Sequence, residues 1–333
     1  MNSSFKKDLR IFSSLTHRHL KMIMANKIRL FYTLMVPVIL LLVYVILLRT
    51  LEVSMVSKGL VEMGIDLSSN PELDKGVATV VDAWMLSGFL SLSILAIALQ
   101  SNSLLVEDKE KGINRDFVAS PVKKNVLIAS YFVYNFIVTL VLSLVVALLA
   151  IIIIACYGEF YFSFLDILSI LGTVILNTFE ATLITTFICL FISNEPILAS
   201  VIGIVSAAAG FLMGAYMPFA MLPTGVQYFC CLIPGTYGTS IIRYSFLATP
   251  FSNISNFLAN NPSVIPAGES VESIMKQINS FGYSVNFFGI DLDLLSCFII
   301  TLAFIAVFIV FNLIFAKRIV SFEKTKKQRT NQK

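Results

Sequence analysis

Six stretches of this chain are apolar for long enough to cross a lipid bilayer: residues 31–50, 85–106, 126–155, 164–192, 197–217 and 294–316. A helix needs about 20 residues to span the hydrocarbon. In lipid every backbone polar group must be satisfied within the chain, which leaves helices or a closed barrel. Short alternating strand patterns are absent, so the expected fold class is all-α integral membrane with six transmembrane helices. The third and fourth runs hold 30 and 29 residues and must tilt or protrude. The composition agrees: 57% of residues are hydrophobic, 13% are charged, and the mean hydropathy is +0.86. So few charges cannot cover a water-facing surface of this size. An ordinary cytosolic enzyme, a disordered regulator and a secreted disulfide scaffold are excluded.

Lysine and arginine set the orientation. With the N-terminus inside, 19 of the 24 fall in the inner segments 1–30, 107–125 and 317–333. Only Arg49, Lys58, Lys75, Arg243 and Lys276 fall outside. The expected topology is N-in and C-in. Residues 1–30 form a cytoplasmic amphipathic interface segment, residues 31–316 a six-helix transmembrane domain, and residues 317–333 a basic cytoplasmic tail. In the first segment Phe5, Leu9, Phe12, Leu15, Leu20 and Ile23 follow one helical face, with Lys6, Lys7, Arg10 and Lys21 mainly off it. Such a helix lies on the inner leaflet, either as a lipid anchor or as an element that feeds force into the first span. Outer loops are expected at 51–84 and 218–293. The second begins apolar and is punctuated by Pro223, Gly225, Pro234, Gly235 and Gly238. That pattern suggests a re-entrant segment between helices five and six, followed by a small external cap over 250–279.

Catalytic and metal chemistry leave no signature. The five cysteines are odd in number and form no CxxC, which argues against a disulfide framework or a zinc site and for buried, apolar-like thiols. His17 and His19 lie two apart, which suits a solvated basic face better than a metal. No GxxxxGK[ST], GxSxG or HExxH occurs. Gln100 to Ser103 read as polar residues at the headgroup level. The exception is Glu180, midway along the fourth run, where a charge costs about 2.5–3.5 kcal/mol on insertion scales. It is either a protonated helix-packing acid or a functional site, with Asn177 as a candidate hydrogen-bond neighbour. Gly203, Ala207, Gly210 and Gly214 in the fifth run allow another helix to approach closely, within the subunit or between subunits.

Three stretches resemble the membrane subunit of ABC-2 type exporters: RHLKMIMANKIRLFYTLMVPVILLLVY, EDKEKGINRDFVASPVKKNVLIAS and GAYMPFAMLPTGVQYFCCLIPGTYGTSIIR. They are similar to the family's basic entry to helix one with an early proline (Pro37), to its loop before helix three, and to its Pro…Leu-Pro…Pro-x-Thr-Tyr…Arg segment after helix five. An arginine, Arg115, stands where the family has an acid.

The resemblance implies a permease with no bound cofactor. Two copies of a separate ATPase subunit would hydrolyse ATP. A second permease subunit, identical or not, would complete the transporter among membrane lipids, with no nucleic acid involved. It places ATPase coupling at Glu107, Asp108, Glu110, Lys111, Gly112, Arg115, Phe117 and Pro121. It places an outer gate at Pro218, Pro223, Pro234, Gly235, Tyr237 and Arg243, with Pro234, Gly235 and Gly238 breaking the helix there. It implies export of an amphipathic drug, peptide or lipid-like substrate across a bacterial plasma membrane. The rival readings are a glycan or lipid-linked saccharide exporter, a secondary carrier with Glu180 as its proton site, and a non-transporting membrane scaffold.

Overall fold

The computed structural model describes residues 3–114, 122–158, 162–218, 221–278, 285–287 and 290–316. Helix α1 (Ser3–Ala25) stops at Asn26, whose side chain accepts a hydrogen bond from the Arg29 N–H at 3.0 Å and caps the next helix. That helix runs as α2 (Lys27–Val43), a π-helical turn (Tyr44–Leu48) and α3 (Arg49–Glu62) without a break. Then come α4 (Pro71–Ser101), α5 (Ser103–Glu110), α6 (Lys124–Tyr157), α7 (Phe164–Cys189), α8 (Glu195–Leu212), α9 (Thr224–Cys230), α10 (Pro234–Asn260), α11 (Val271–Ile278) and α12 (Leu294–Phe315). A small antiparallel hairpin, β1 (Val285–Phe287) with β2 (Ile290–Leu292), precedes α12 and pairs Val285 with Leu292. Among the described residues, six segments are long and apolar enough to cross a membrane: α2–α3, α4–α5, α6, α7, α8 and α12. The chain is a multi-pass, all-α membrane protein.

Helix starts follow their capping chemistry. Ser163 and Asp166 form a reciprocal capping box at α7. Asn194 accepts from the Ile197 N–H at α8, and Asp293 from the Ser296 N–H at α12, both at 3.0 Å.

The stretch expected as an outer loop over 51–84 is mostly helix. Its polar residues interrupt the apolar run but not the helix, and Pro71 sits in the first turn of α4, where a proline lacks no useful N–H. The connection that remains is short. It is held by Asp66, which accepts from Ser68 and Ser69.

Helix α4 is the axis of the bundle. Its apolar stretch is 89% buried, against 22% for α2–α3 and 17% for both α8 and α12. It packs on α2, α3, α6, α7, α8 and α10. Small residues let these neighbours approach. A Cβ on Gly88 would lie 2.8 Å from the Ala215 carbonyl oxygen. Ser91 and Thr239 share a hydrogen bond of 2.7 Å across α4 and α10. At the other end of the bundle, Phe187 of α7 packs edge-on or tilted against Phe308, Phe311 and Phe315 of α12.

The segment expected to be re-entrant consists of the short α9, a turn and the start of the long α10. Pro234 does not break a helix. It opens the 27-residue α10, which is buried from Thr236 to Arg243 among α4, α7 and α12. Gly235 and Gly238 are contact points rather than hinges. A Cβ there would lie 2.6 Å from Met213 and 2.0 Å from Asn177 respectively. The polar stretch expected as an external cap is also partly helical, since α10 continues to Asn260 and α11 packs back on α3 and α10.

Candidate functional site

The short helix α5 gathers most of the described charge at one end of the bundle. Four successive residues each hold a different element. Glu107 accepts from Arg29 at the start of α2 at 2.7 Å. Asp108 is 1% exposed and accepts from Arg18 of α1 at 3.1 Å and from the Tyr131 hydroxyl of α6 at 2.5 Å. Lys109 donates to the carbonyls of Cys189, Leu190 and Ile192, where α7 leaves its last oxygens without helical partners. Glu110 accepts from the Glu195 N–H at 2.9 Å, at the positive start of α8. Neighbouring residues on a helix point in different directions, so one short helix can pin α1, α2, α6, α7 and α8 together.

The acids expected to meet an ATPase also make contacts within the chain. Glu107 and the exposed Glu110 are engaged inside the chain, and Asp108 is engaged through Oδ2, while its buried Oδ1 has no partner among the described residues. Lys111, which pairs with Glu107 one turn away, is exposed, and Gly112 adopts φ +75°, the left-handed conformation that ends α5. Arg115, Phe117 and Pro121 lie outside the described residues.

Helix α1 is docked on the bundle, with Phe5 and Leu9 of its apolar stripe left exposed. It packs on α6, and Lys123 donates to Asp8. His19, expected on a solvated face, is fully buried. Its ring stacks on Tyr131 at 4.2 Å and lies against Tyr134 at 5.5 Å. Burial, and the adjacent Arg18 charge, lower its pKa to about 4. The polar group at the α4–α5 junction is likewise interior. Asn102 is buried and donates to Ala98 and Thr185, Asn135 donates to Ala98, and the Tyr134 hydroxyl donates to Ser101. Side chains thus satisfy carbonyls that the break between the two helices exposes.

Family comparison gives this arrangement its context. The model of the ABC-2 type transporter family matches residues 10–247. The chain belongs to the ABC-2 type transporter family. Comparison with curated proteins returns no match. Members of this family are non-catalytic permeases that associate with an ABC ATPase subunit, and the match covers α1 from Arg10 onward, all of α5 and the first half of α10 of this permease.

At the opposite end of the permease lies a cluster that the sequence reading missed. Asp82 of α4 is fully buried. It accepts from Tyr44 at 2.6 Å and from Arg49 at 2.9 and 3.0 Å. Arg49 also lies over the Tyr157 ring at 4.8 Å and donates to the Tyr157 carbonyl. The π-helical turn explains the convergence. Its i→i+5 bond, from the Arg49 N–H to the Tyr44 carbonyl, widens the turn and brings residues five apart onto one face.

The residues expected at an outer gate are spread over several roles. Pro218 is buried and Pro223 is the exposed N-cap of α9. The Tyr237 hydroxyl donates to Cys231 at 2.6 Å. Arg243 is buried, lies 4.0 Å over the Trp84 ring and donates to the Gly214 carbonyl at 2.6 Å. It therefore joins α10, α4 and the end of α8 through a cation–π contact and a charged hydrogen bond.

The small residues of α8 divide in two. Gly210 packs against Tyr216 of the same chain, and Gly214 takes φ +67° in the turn that follows. Gly203 and Ala207 are exposed, and nothing lies within 4 Å of a Cβ placed on Gly203. Glu180 is 2% exposed in mid-α7. Asn177 does not bond it; its amide donates to Thr173 at 2.9 Å instead.

Proposed function

We propose that this permease works as the membrane half of an ATP-driven exporter. An ATPase subunit docks beneath α5, and the permease moves an amphipathic substrate outward across a plasma membrane. The observation that carries the reading is the set of ties from Glu107 to Glu110, in a chain of a family whose members partner an ABC ATPase. A push on α5 would reach five other helices through bonds that already exist, so nucleotide-driven motion can be transmitted as a rigid-body shift of the bundle. The docking face then falls on the exposed Lys111 and on the segment with Arg115, Phe117 and Pro121, while the acids of α5 hold the lever together. The open face of α8 at Gly203 and Ala207 suits a second permease subunit, which would complete the path between the two. An N-in and C-in arrangement puts α5 and the basic segments on the ATPase side.

Co-expression with an ABC ATPase and affinity purification of the pair tests the reading. Lys111→Glu together with Arg115→Glu is expected to lose the ATPase while the permease still folds. Retention of both ATPase binding and export by that variant overturns the docking assignment. Transport that survives ATP depletion but fails with an uncoupler would instead favour an ion-driven carrier.

A further inference from the structure

Glu180 closes the deep end of a cavity of about 70 Å³ between α4, α7 and α10. Its Oε1 has no hydrogen-bond partner. Its Oε2 faces the bare backbone of Gly238, where a Cβ would lie 3.0 Å away. The neighbouring polar side chains are engaged elsewhere. The amide nitrogen of Asn177 is taken by Thr173, and its Oδ1 points at Gly238. The Ser91 hydroxyl is engaged with Thr239. The remaining side chains are apolar, from Ile94, Ala181 and Met213 inside to Leu95, Ile184 and Ile233 at the half-buried rim, and Pro234 and Gly235 bring in the first turn of α10.

A site with acceptors at its floor and hydrocarbon on its walls calls for a ligand that carries donors on an apolar stem. The volume matches about two waters, enough for an ammonium group and a methylene and too small for an aromatic ring. A divalent inorganic cation fits poorly, since calcium takes about six to eight oxygen ligands and this floor presents one carboxylate and one amide oxygen. We propose that the cavity receives the protonated primary amine of an amphipathic substrate, with Glu180 as its counter-charge. The proposal rests on the permease reading and narrows its substrate class from amphipaths in general to alkylammonium-bearing ones. It also gives an unpartnered intramembrane carboxylate a partner that arrives with the cargo.

Met213 lines the cavity and supplies a local probe. The full chain, labelled with ¹³C at its methionine methyls and held in phosphatidylcholine nanodiscs, is titrated with dodecylamine and separately with dodecanol. Met213→Leu assigns the Met213 signal. The amine is expected to shift that signal at a concentration about ten- to a hundredfold lower than the alcohol, the factor a charge-assisted hydrogen bond supplies. In Glu180→Gln the preference disappears and the response to the alcohol stays. Ile184→Phe, at the half-buried rim, keeps the carboxylate but fills the space and is expected to lose the response to the amine. This variant decides the matter if Glu180→Gln does not fold. Equal responses to amine and alcohol in the parent chain, or a preference that survives in both variants, overturn the site. Co-purification with the ATPase is scored separately. A parent chain that shows no amine preference while it still binds the ATPase sinks the cavity assignment alone, whereas failure to bind any ABC ATPase sinks the permease reading itself.

Discussion

Asp82 and Glu180 are both carboxylates inside the helix bundle, and the protein treats them in opposite ways. Asp82 is saturated: a tyrosine and an arginine converge on it from the π-helical turn. Glu180 lies deeper in a span and faces a glycine and a cavity, with one oxygen free of any partner. A buried charge is costly unless it is paired and hydrogen-bonded. The first carboxylate meets that condition within the fold. The second does not, so its partner must be a proton or a ligand. Asp82 has both oxygens engaged and fastens helices together, whereas Glu180 has no hydrogen-bond donor on Oε1 among the described residues.

The sharpest way to break this contrast is to remove the saturated acid. Asp82→Ala leaves Arg49 without its carboxylate and Tyr44 without its acceptor. It is expected to destabilise the permease by about 3–5 kcal/mol, the range for breaking a buried pair from one side. Denaturant titration in mixed micelles measures this. Glu180→Gln should be nearly neutral in the same assay, because it removes a charge that nothing in the chain compensates. Equal losses in the two variants would erase the distinction.

The next effect concerns pH at the other end of the molecule. His19 is buried between Arg18, Asp108, Tyr131 and Tyr134 and is held neutral, with its pKa lowered to about 4. The unfolded or undocked segment takes up a proton near the ordinary histidine value, and the docked one resists until far lower pH. The docked state therefore has its full stability above about pH 6.5 and loses it progressively as pH falls towards 4, by about 3 kcal/mol in all. Amide hydrogen exchange along α1 should rise over that window, and His19→Phe should flatten the profile. Exchange that does not depend on pH between 4 and 6.5 would show that α1 docks through other contacts.

Gly238→Ala sharpens the comparison from the side of the cavity. The added methyl would meet Asn177 and Glu180 together, and both would have to shift. An overpacking cost of about 1–3 kcal/mol is expected. Amine selectivity should fall with it, since the displaced carboxylate no longer closes the cavity floor. A variant as stable and as selective as the parent would show that the α7–α10 contact is looser than the structure gives.

These pairings explain which parts of the protein could be read from the chain alone. Four of the six spans lie close to their apolar runs, because lipid-facing length is written in consecutive residues, and the first two extend well beyond theirs. What escaped depends on residues far apart in sequence. Asp82 and Arg49 look like two ordinary outer-side charges, and only their meeting across 33 positions makes them a fastening. Glu107, Asp108 and Glu110 look free for a partner protein, and only the folded chain shows Arg29, Tyr131 and Glu195 already holding them. Pro234 and Gly238 read as helix breakers, because local propensity cannot distinguish a proline that starts a helix from one that ends it, or a hinge glycine from a contact glycine. Glu180 was legible, since a lone acid in an apolar run is visible without any partner, but its cavity was not.

The smallest expected effect tests what the open face of α8 is for. Gly210 and Gly203 lie on the same helix, seven residues apart. A side chain at Gly210 would strike Tyr216 at 2.0 Å, whereas one at Gly203 meets nothing. Gly203→Leu should therefore change the stability of the isolated subunit by less than about 0.5 kcal/mol, as surface substitutions usually do. If the face is where a second permease subunit packs, the same leucine keeps the two backbones apart and shifts the population towards monomer in mass photometry or cross-linking. An unchanged dimer fraction with unchanged stability would mean that Gly203 faces lipid. The subunit contact would then have to be sought on α2 or α12, the other spans that present most of their surface outward.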